Sequence, residues 1–266
     1  MSAETSKPFA VVTGGSNGIG FELARQLIGS GHDVLIAAQD EGHLADAARR
    51  LSTEDAQVST HASDLSSEAG VDSLFEAIRS AGRPVDVLCV NAGFGLGGAF
   101  VDTDLRRELA MIDLNVRGAV QLTKPVVKDM VARGSGRILF TSSIAASMPD
   151  PFEAVYGATK MFLRWFGEAL RSELKDTGVT VTVLMPGPTE TDFFRRAEML
   201  DTKIGASNGK DDTAAVAKAA LDALHSGSDK VVPGLKNKVM SAVTEALPDT
   251  AAAALHRGLS KPGSAG

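Results

Sequence analysis

The chain has 266 residues, of which 44% are hydrophobic and 23% are charged, values that are ordinary for a globular protein. Its formal net charge is −6 and its Lys and Arg residues are scattered, which argues against a nucleic-acid-binding surface. We expect a cytoplasmic protein without an integral membrane segment, because no apolar run reaches ~18 residues, the start MSAETSKPF lacks a signal-peptide pattern, and the single cysteine, Cys89, cannot form an intramolecular disulfide.

In the first half of the chain, short apolar runs alternate with longer amphipathic stretches. The apolar, β-branched runs predict strands, and the helical periodicity of the other stretches predicts helices. Ser66 is expected to cap the third helix. The predicted strands span 9–13, 33–37, 57–62 and 85–90, and the predicted helices span 18–28, 41–51 and 66–81.

The second half continues this alternation and then becomes less regular. Segment 191–212 is mixed in polarity and is predicted to be a lid. After Pro233 and Gly234 the chain becomes rich in alanine, with two short amphipathic stretches on either side of Pro248 and an end, KPGSAG, that is expected to fray. The predicted elements are a long helix at about 104–132, a strand at 137–141, a helix at 153–175 and a strand at 179–185.

The alternation of strands and helices predicts an α/β fold with a doubly wound parallel sheet, because right-handed crossovers place helices on both faces. Ligands of such sheets bind beyond the carboxyl ends of the strands, where the strand order reverses. The loops after the strands are therefore the expected places of chemistry. Residues 1–234 are predicted to form a single domain, followed by a C-terminal helical extension at 235–266.

The first predicted strand runs into the sequence TGGSNGIG, which a helix follows directly. Gly14, Gly18 and Gly20 allow a tight turn and a close approach of backbone N–H groups to a diphosphate, which the helix N-terminus also favours. A plain strand-to-helix turn would need one glycine rather than three. The motif therefore predicts a dinucleotide site.

The loops after the second and third strands bear on which dinucleotide binds. An acidic residue at the end of the second strand holds a free ribose 2′-OH, and a cation holds a 2′-phosphate. Ala38 and Gln39 stand there and are neither, while Asp40 follows one or two positions late, so this signal is weak in both directions. Asp64 can accept from an adenine amino group, or it can cap the following helix with about equal weight.

Two further loops are predicted to contact the ligand. Asn91, Ala92 and Gly93 follow the fourth strand, where small residues let a flat ligand lie against the sheet edge, although a simple turn is the alternative. The sixth strand ends in Met-Pro-Gly-Pro-Thr-Glu-Thr, in which Thr189 and Thr191 can hold a carboxamide.

Ser143, Tyr156 and Lys160 form the predicted catalytic group. Tyr156 and Lys160 are spaced i, i+4 on one predicted helix and share a face. The reference pKa of a phenol is about 10, and a neighbouring ammonium is expected to lower it. Ser143, at the end of the fifth strand, can donate to a substrate oxygen where charge changes.

Several other residues carry weaker expectations. Asn115 lies inside the long predicted helix, where asparagine is unfavourable and often bonds the backbone or marks a kink. It is either a link in a proton relay toward Lys160 or a capped or solvated asparagine. The histidines show no metal-ligand spacing, so no metal site is predicted and all five are expected on surfaces or in loops. The phenylalanines that form an apolar wall or pack in the core are Phe94, Phe193 and Phe194.

Taken together, these motifs resemble those of the short-chain dehydrogenase/reductase family over about residues 8–234. The matching segments are TGGSNGIG, Asn91 to Gly93, Ser143 with YGATK, and MPGPTETD. The resemblance implies a Rossmann-like sheet of about seven strands and a nicotinamide-dependent enzyme that interconverts a carbonyl and a secondary alcohol. Its catalytic tetrad would be Asn115, Ser143, Tyr156 and Lys160, with Tyr156 exchanging a proton with the substrate oxygen.

The resemblance also implies the cofactor, NADP or NAD. We prefer NADP because the acidic NAD selector is missing, although Asn17 and Gln39 stand where NADP-binding members often have a basic residue. The cofactor-binding residues are predicted to be Gly14, Ser16, Asn17, Gly18, Ile19, Gly20, Gln39, Asp64, Leu65, Asn91, Ala92, Gly93, Tyr156, Lys160, Pro186, Gly187, Thr189 and Thr191.

Two other functions remain open at this point, a catalytically silent cofactor-binding sensor and a nucleotide-sugar epimerase or dehydratase. The expected substrate is a small carbonyl or alcohol of hydrophobic character. A homodimer or homotetramer is expected through helices 104–132 and 153–175, the second presenting Leu163, Phe166, Leu170 and Leu174.

The stretches after Gly234 are expected to dock through apolar positions. Their expected roles, in order of preference, are a cover over the substrate cleft, a subunit contact and a membrane-surface contact. The positions spaced by four residues are Val239, Val243 and Leu247, and then Ala251 and Leu255.

Overall fold

The structure, a computed structural model, describes residues 7–265 and contains a parallel sheet of seven strands. The strand order is β3-β2-β1-β4-β5-β6-β7, and it reverses between β1 and β4. The predicted doubly wound parallel sheet is confirmed. The strands are β1 Phe9–Thr13, β2 Asp33–Ala38, β3 Val58–Ala62, β4 Val87–Val90, β5 Gly136–Thr141, β6 Val179–Leu184 and β7 Lys230–Val231.

Helices cover both faces of this sheet. Over residues 7–265, no helix is long and apolar enough to cross a membrane; residues 1–6, most of the sequence tested for a signal peptide, lie outside the described residues. The helices are α1 Gly18–Gly29, α2 Glu41–Leu51, α3 Glu68–Ser80, α4 Leu105–Ile112, α5 Ala119–Arg133, α6 Ala154–Glu173, α7 Phe193–Arg196, α8 Lys203–Ala206, α9 Thr213–Ser226, α10 Leu235–Ala246 and α11 Asp249–Ser260.

The alternation of side chains along the strands builds two cores. In β1, Val11 belongs to the apolar cluster on the side of α3, α5 and α6, and Val12 belongs to the cluster on the side of α1, α2 and α9. Side chains of a strand alternate between faces, so a sheet covered on both sides needs apolar residues at every position. Cys89 is fully buried in the second cluster, and burial raises the pKa of its thiol to about 12, which makes it a structural residue.

Two local predictions are corrected. The long helix predicted at 104–132 is interrupted by a π-helical segment, Asp113–Gly118, between α4 and α5. Ser67 rather than Ser66 caps α3, because the Ser67 hydroxyl accepts from the Gly70 amide at 3.0 Å. Ser66 instead donates its backbone N–H and hydroxyl to Asp64.

The apolar residues named for an oligomer contact on α6 are also corrected. Leu163 and Leu174 are buried against the sheet, and Phe166 and Leu170 pack on the same core. The apolar residues spaced three to four positions apart on α6 form the face that covers the sheet. The exposed large apolar residues therefore lie elsewhere on α4 and α6. They are Leu105, Leu109, Ile112, Phe162 and Trp165.

The C-terminal helices dock by faces other than the predicted ones. Val239, Val243 and Leu247 are exposed. The buried positions of α10 and α11 are polar or small. They are Asn237, Ser241 and Thr244 in α10 and Ala252, His256 and Ser260 in α11. Three of their side chains, Thr244, His256 and Ser260, bond to the segment that leads into α6.

The end of the described chain does not fray as expected. The Gly263 amide donates to the Asp201 carboxylate at 2.7 Å, and the Ala265 amide donates to the Asp201 carbonyl at 2.9 Å. The Ser264 hydroxyl accepts from the Lys203 amide at 3.2 Å. The C-terminal residues 263–265 therefore hold the segment between α7 and α8; the last residue, Gly266, lies outside the described residues.

The expectation that all five histidines lie on surfaces or in loops is wrong. His256 contradicts it, because this residue is buried within α11 with 4% of its surface exposed. His32 is buried too but lies in the loop before β2, and His61 lies within β3 with its side chain partly exposed. The Nε2 atom of His256 lies 2.6 Å from Asp150 and 3.9 Å from Glu153, and these carboxylates favour a buried imidazolium, whereas its Nδ1 has no hydrogen-bond partner among the described residues.

Candidate active site

A cleft of about 710 Å³ opens at the carboxyl ends of the central strands. Its walls include every residue predicted to bind a cofactor, and they include Ser143, Tyr156 and Lys160. Asn115 does not line the cleft and lies fully buried behind it. The topology thus gathers into one place residues that are spread over 178 positions, from Gly14 to Thr191.

The glycine loop turns tightly because its glycines occupy positions closed to other residues. Gly14 and Gly18 have positive φ values of 66° and 55°. A Cβ atom on Gly20 would lie 2.2 Å from the Gly14 carbonyl oxygen, so only glycine lets α1 begin this close to β1. The loop is fixed to β2 by the Gly14 amide, which donates to Ala37 at 2.7 Å.

The N-terminus of α1 faces the cleft with free backbone donors. Asn17 precedes the helix in an extended conformation and its side chain makes no capping hydrogen bond. The first turn contains no acidic residue, and Gly18, Ile19 and Gly20 line the cleft. Unsatisfied N–H groups and the helix dipole make this end suitable for an anion such as a diphosphate.

Thr13 and Asn91 join the glycine loop to the end of β4. The Thr13 hydroxyl accepts from the amides of Asn91 and Ala92 at 2.9 and 3.0 Å. The Asn91 side chain donates to the Thr13 carbonyl at 3.1 Å. Asn91 therefore fixes the start of the glycine loop to the end of β4. Thr13 was not identified from the sequence, because a threonine inside an apolar strand carries no distinguishing signal.

The end of β2 presents no free acid. Gln39 is exposed on the cleft wall. Asp40 caps α2 by accepting from the His43 amide at 2.7 Å, and this bond lowers the pKa of Asp40. Asp64, at the end of β3, accepts from Ser66 in a local turn and is exposed. The carboxylates of Asp40 and Asp64 therefore already accept hydrogen bonds from nearby backbone amides.

Tyr156 lies at the inner end of the cleft on the first turn of α6. Its ring packs against Phe193 with ring centres 5.2 Å apart. Its pKa is raised well above the ordinary value, first by burial and then by the charge of Glu153, while a hydrogen bond with Ser143 works in the opposite direction. The expected lowering of this pKa by Lys160 is therefore not found, because burial dominates and Lys160 is not among the groups that shift the pKa.

Lys160 lies one turn further along α6 and is buried. Its ammonium donates to the Thr141 carbonyl at 3.0 Å and stands 5.7 Å from the centre of the Tyr156 ring. Burial lowers the pKa of Lys160 to about 8. The Ser142 hydroxyl donates to the Lys160 carbonyl at 2.7 Å, which ties this turn of α6 to the end of β5.

Asn115 lies in the π-helical segment and its amide is fully occupied. Its side chain donates to the Phe94 carbonyl at 2.9 Å and to the Thr159 hydroxyl at 3.0 Å, and it accepts from the Phe94 amide at 3.1 Å. Asn115 is thus buried and bonded to the backbone at a helix irregularity, so it is not solvated, and its part in a proton relay stays a prediction. A Cβ atom on Gly93 would lie 2.9 Å from the Asn115 side-chain oxygen and 3.2 Å from the Lys160 ammonium. Glycine at this position therefore lets both side chains pack against the backbone of the loop after β4.

The loop after β6 closes one side of the cleft. The Pro186 carbonyl accepts from Ile144 at 3.0 Å, and the Thr189 hydroxyl donates to the Gly187 carbonyl at 2.9 Å. Thr191 reaches the glycine loop, where a Cβ on Gly18 would lie 3.0 Å from its methyl group. Asn237 from α10 packs directly on Gly187, a contact that the sequence did not reveal.

The inner end of the cleft, around Tyr156, is called the substrate end below, and it has mainly apolar walls. Phe193 and Phe94 pack with Tyr156, whereas Phe194 is buried in a separate cluster with Ala197 and Met199. Segment 191–212 contains α7 and α8 and borders the cleft, as expected of a lid position. The apolar residues that line this end are Phe94, Ala145, Met148, Phe193, Met240, Leu255 and Leu259.

One polar cluster interrupts these walls beside Tyr156. His256 Nε2 lies 2.6 Å from Asp150 and 3.9 Å from Glu153, and the Ser260 hydroxyl donates to Glu153 at 3.0 Å. Burial, and then the charge of Asp150, raise the pKa of Glu153 to about 8. Asp150, Glu153 and His256 each offer one ligand atom within 4.8 Å of the others, a spacing that could hold a metal ion, and Asp150 pairs with His256.

Comparison with known proteins gives a consistent result. The sequence model of the short chain dehydrogenase family matches residues 8–200. An uncharacterized oxidoreductase of Staphylococcus saprophyticus is 32% identical over 226 residues, which are 85% of this chain and 94% of that protein. Sulfoacetaldehyde reductase 2 of Chromohalobacter salexigens is 35% identical over 185 residues, which are 69% of this chain and 73% of that protein.

The fold is also found among solved structures. A short-chain dehydrogenase from Sphingobium yanoikuyae in complex with NADPH superposes with a TM-score of 0.80 at 25% sequence identity. The likeness covers 91% of this chain and 96% of that chain.

Proposed function

The chain belongs to the short chain dehydrogenase family, and on that premise we propose that it interconverts a carbonyl compound and a secondary alcohol with a nicotinamide cofactor. The observation that carries this proposal is the position of Tyr156. Its side chain lies beside Ser143 and Lys160 at the inner end of a cleft whose other end has the glycine loop.

The residues of this cleft fit a dinucleotide. Gly14, Gly18 and Gly20 leave a cradle that side chains would fill, and the first turn of α1 offers free donors for a diphosphate. Thr189 and Thr191, which line the cleft after β6, would hold the carboxamide. The bound cofactor would supply or accept the hydride at its nicotinamide ring.

Tyr156 is proposed to give its proton to the carbonyl oxygen in the reducing direction. A raised pKa keeps the phenol protonated at neutral pH, so the proton is available, and a pKa closer to neutrality in the ternary complex would make its transfer more efficient. Ser143 would donate to the same oxygen and fix its position. Lys160 would hold a ribose hydroxyl with its ammonium, and Asn115 would support this arrangement by holding Phe94 and Thr159 in place.

NADP is the proposed preference over NAD. The support is that no free carboxylate stands at the end of β2, since Asp40 is occupied as the cap of α2. Neutral donors at Asn17 and Gln39 are compatible with a 2′-phosphate. The similar structure from Sphingobium yanoikuyae contains NADPH, which supports a nicotinamide cofactor in this cleft.

The proposed substrate is a hydrophobic carbonyl compound, because the residues around Tyr156 are mainly apolar. We further propose a homodimer or homotetramer. The exposed apolar side chains of α4 and α6, Leu109 and Trp165 among them, form a surface that a second copy would cover.

The direct test is the absorbance of reduced cofactor in the presence of a panel of aliphatic and aromatic ketones and aldehydes. Carbonyl-dependent oxidation of NADPH supports the proposal. Tight cofactor binding without turnover on any carbonyl would favour the silent sensor. Conversion of nucleotide sugars without net cofactor consumption would favour the epimerase or dehydratase.

A further inference from the structure

The substrate end of the cleft is completed by helix α11, which lies beyond the part of the chain that the family model matches. Leu255 and Leu259 of α11 line the cleft, as does His256. The wall that these residues form is therefore a feature of this chain rather than of the matched family core, and what holds α11 in place decides the shape of the site.

The helix is held by a buried polar joint rather than by an apolar stripe. Asp150 and Glu153 belong to the segment that leads into α6, six and three residues before Tyr156, respectively. His256 pairs with Asp150 at 2.6 Å, and Ser260, one turn further along α11, donates to Glu153 at 3.0 Å. All four side chains are less than 9% exposed.

The backbone between the two carboxylates is held in a strained conformation. Phe152 has a φ of 68°, which non-glycine residues rarely adopt. Its carbonyl accepts from the Gly98 amide at 2.8 Å, and the Arg257 guanidinium of α11 lies 5.2 Å from the centre of its ring. Thus α11 contacts this turn through Arg257 as well as through the buried joint.

The joint also packs against the catalytic helix. A Cβ atom on Gly157 would lie 2.4 Å from the Cβ of Asp150, so Asp150 presses directly on the residue next to Tyr156. A shift of Asp150 would consequently move the first turn of α6.

We propose that the Asp150–His256 pair is a lock that fastens α11 over the substrate end of the cleft, with His256 as a positioning residue and Leu255 and Leu259 as residues that determine which carbonyl substrates fit. Released from Asp150, α11 would lose its main buried polar anchor, and the wall beside Tyr156 would open. The role in substrate choice rests on the proposed function, whereas the lock itself does not.

The first experiment measures hydrogen–deuterium exchange of the full-length protein at neutral pH. The variants are His256→Gln and Asp150→Asn, together with their double variant, which removes both charges in case a single unpaired charge prevents folding. The matched control is His225→Gln, because His225 is exposed at the end of α9.

We expect exchange in α11 to become about tenfold faster in the lock variants while the central strands keep their wild-type rates, because the helix opens locally. The control should match the wild type. Unchanged exchange in α11, or an equal increase throughout the sheet, would overturn the lock. If EDTA speeds exchange of α11 in the wild type, a metal ion rather than the Asp150–His256 pair holds the helix, and the proposal fails.

The second experiment compares a small aliphatic ketone with a bulky aryl ketone. Opening of the wall should raise KM severalfold for the ketone that the wild type prefers, change kcat little, and narrow the preference between the two ketones. Equal loss for both ketones would contradict the assigned role in selectivity. If the wild type reduces no carbonyl at all, the proposed function fails, and the exchange experiment still decides the lock.

Discussion

The Lys160 ammonium lies 5.7 Å from the centre of the Tyr156 ring and is bonded to the Thr141 carbonyl at 3.0 Å. Burial is the main cause of the pKa shift of both side chains: it raises the pKa of Tyr156 and lowers the pKa of Lys160 to about 8. The pair therefore combines a protonated phenol with an ammonium that is close to its titration range. This arrangement suits donation of a proton to a carbonyl oxygen.

The first prediction concerns cofactor preference. Gln39→Arg should strengthen binding of NADPH by about tenfold relative to NADH, because a guanidinium forms charge-assisted hydrogen bonds with a 2′-phosphate. Gln39→Asp is the matched variant and should shift the preference toward NADH. Fluorescence titration with both cofactors measures this. A selective gain for NADH in Gln39→Arg would show that the end of β2 does not face the ribose.

The second prediction concerns the glycine loop. Gly18→Val should weaken binding of both cofactors, because valine disfavours the positive φ at this position and its side chain would meet Thr191. Gly29→Ala, at the other end of α1, has open space around it and should bind as the wild type does. Wild-type affinity in Gly18→Val, measured by calorimetry, would be inconsistent with a diphosphate on this loop.

The third prediction concerns pH and stability. The pKa of Glu153 is raised from 4.5 to about 8 by burial and then by Asp150. Burial alone would lower the pKa of His256, but the hydrogen bond and charge of Asp150 outweigh it and raise that pKa. Within these ranges the folded protein holds protons that the unfolded chain releases, so the free energy of unfolding should fall as the pH rises from about 4.5 to about 8.

Thermal unfolding across this pH range tests that expectation. Glu153→Gln should flatten the decline, because the amide can still accept from Ser260 but does not titrate. The control is Glu54→Gln, since Glu54 is exposed and remote from the joint. Equal pH dependence in the wild type and Glu153→Gln would refute a buried proton at this position.

The fourth prediction concerns assembly. The double variant Leu109→Glu with Trp165→Glu should shift the protein toward monomers, because it places charges in the exposed apolar surface of α4 and α6. Val239→Glu changes an equally exposed apolar residue of α10 and should leave the mass unchanged. Light scattering measures both. Dissociation by Val239→Glu alone would place the subunit contact on the C-terminal helices instead.

The sequence predicted the parts of this protein that local patterns encode. Three glycines after an apolar strand have one common explanation, and Tyr156 and Lys160 are four residues apart on one helix, so their proximity follows from helix geometry. The parallel sheet followed from the alternation of elements, since both faces of each strand had to be apolar.

The polar joint could not be predicted in this way. Glu153 and Ser260 are 107 residues apart, and no spacing rule connects them. The periodicity of α10 and α11 was misread because the apolar positions Val239 and Val243 face outward, while the polar positions His256 and Ser260 face inward. A hydrophobic pattern identifies the buried face of a helix only where the helix packs on the protein through apolar side chains.

The central claim is that Tyr156 transfers the proton, and Tyr156→Phe tests it most directly. The variant keeps the ring that packs against Phe193 and removes only the hydroxyl. On a carbonyl that the wild type reduces, turnover should fall by about 10²- to 10⁴-fold while the dissociation constant for NADPH changes little. Turnover close to that of the wild type would contradict the assignment of Tyr156 as the proton donor.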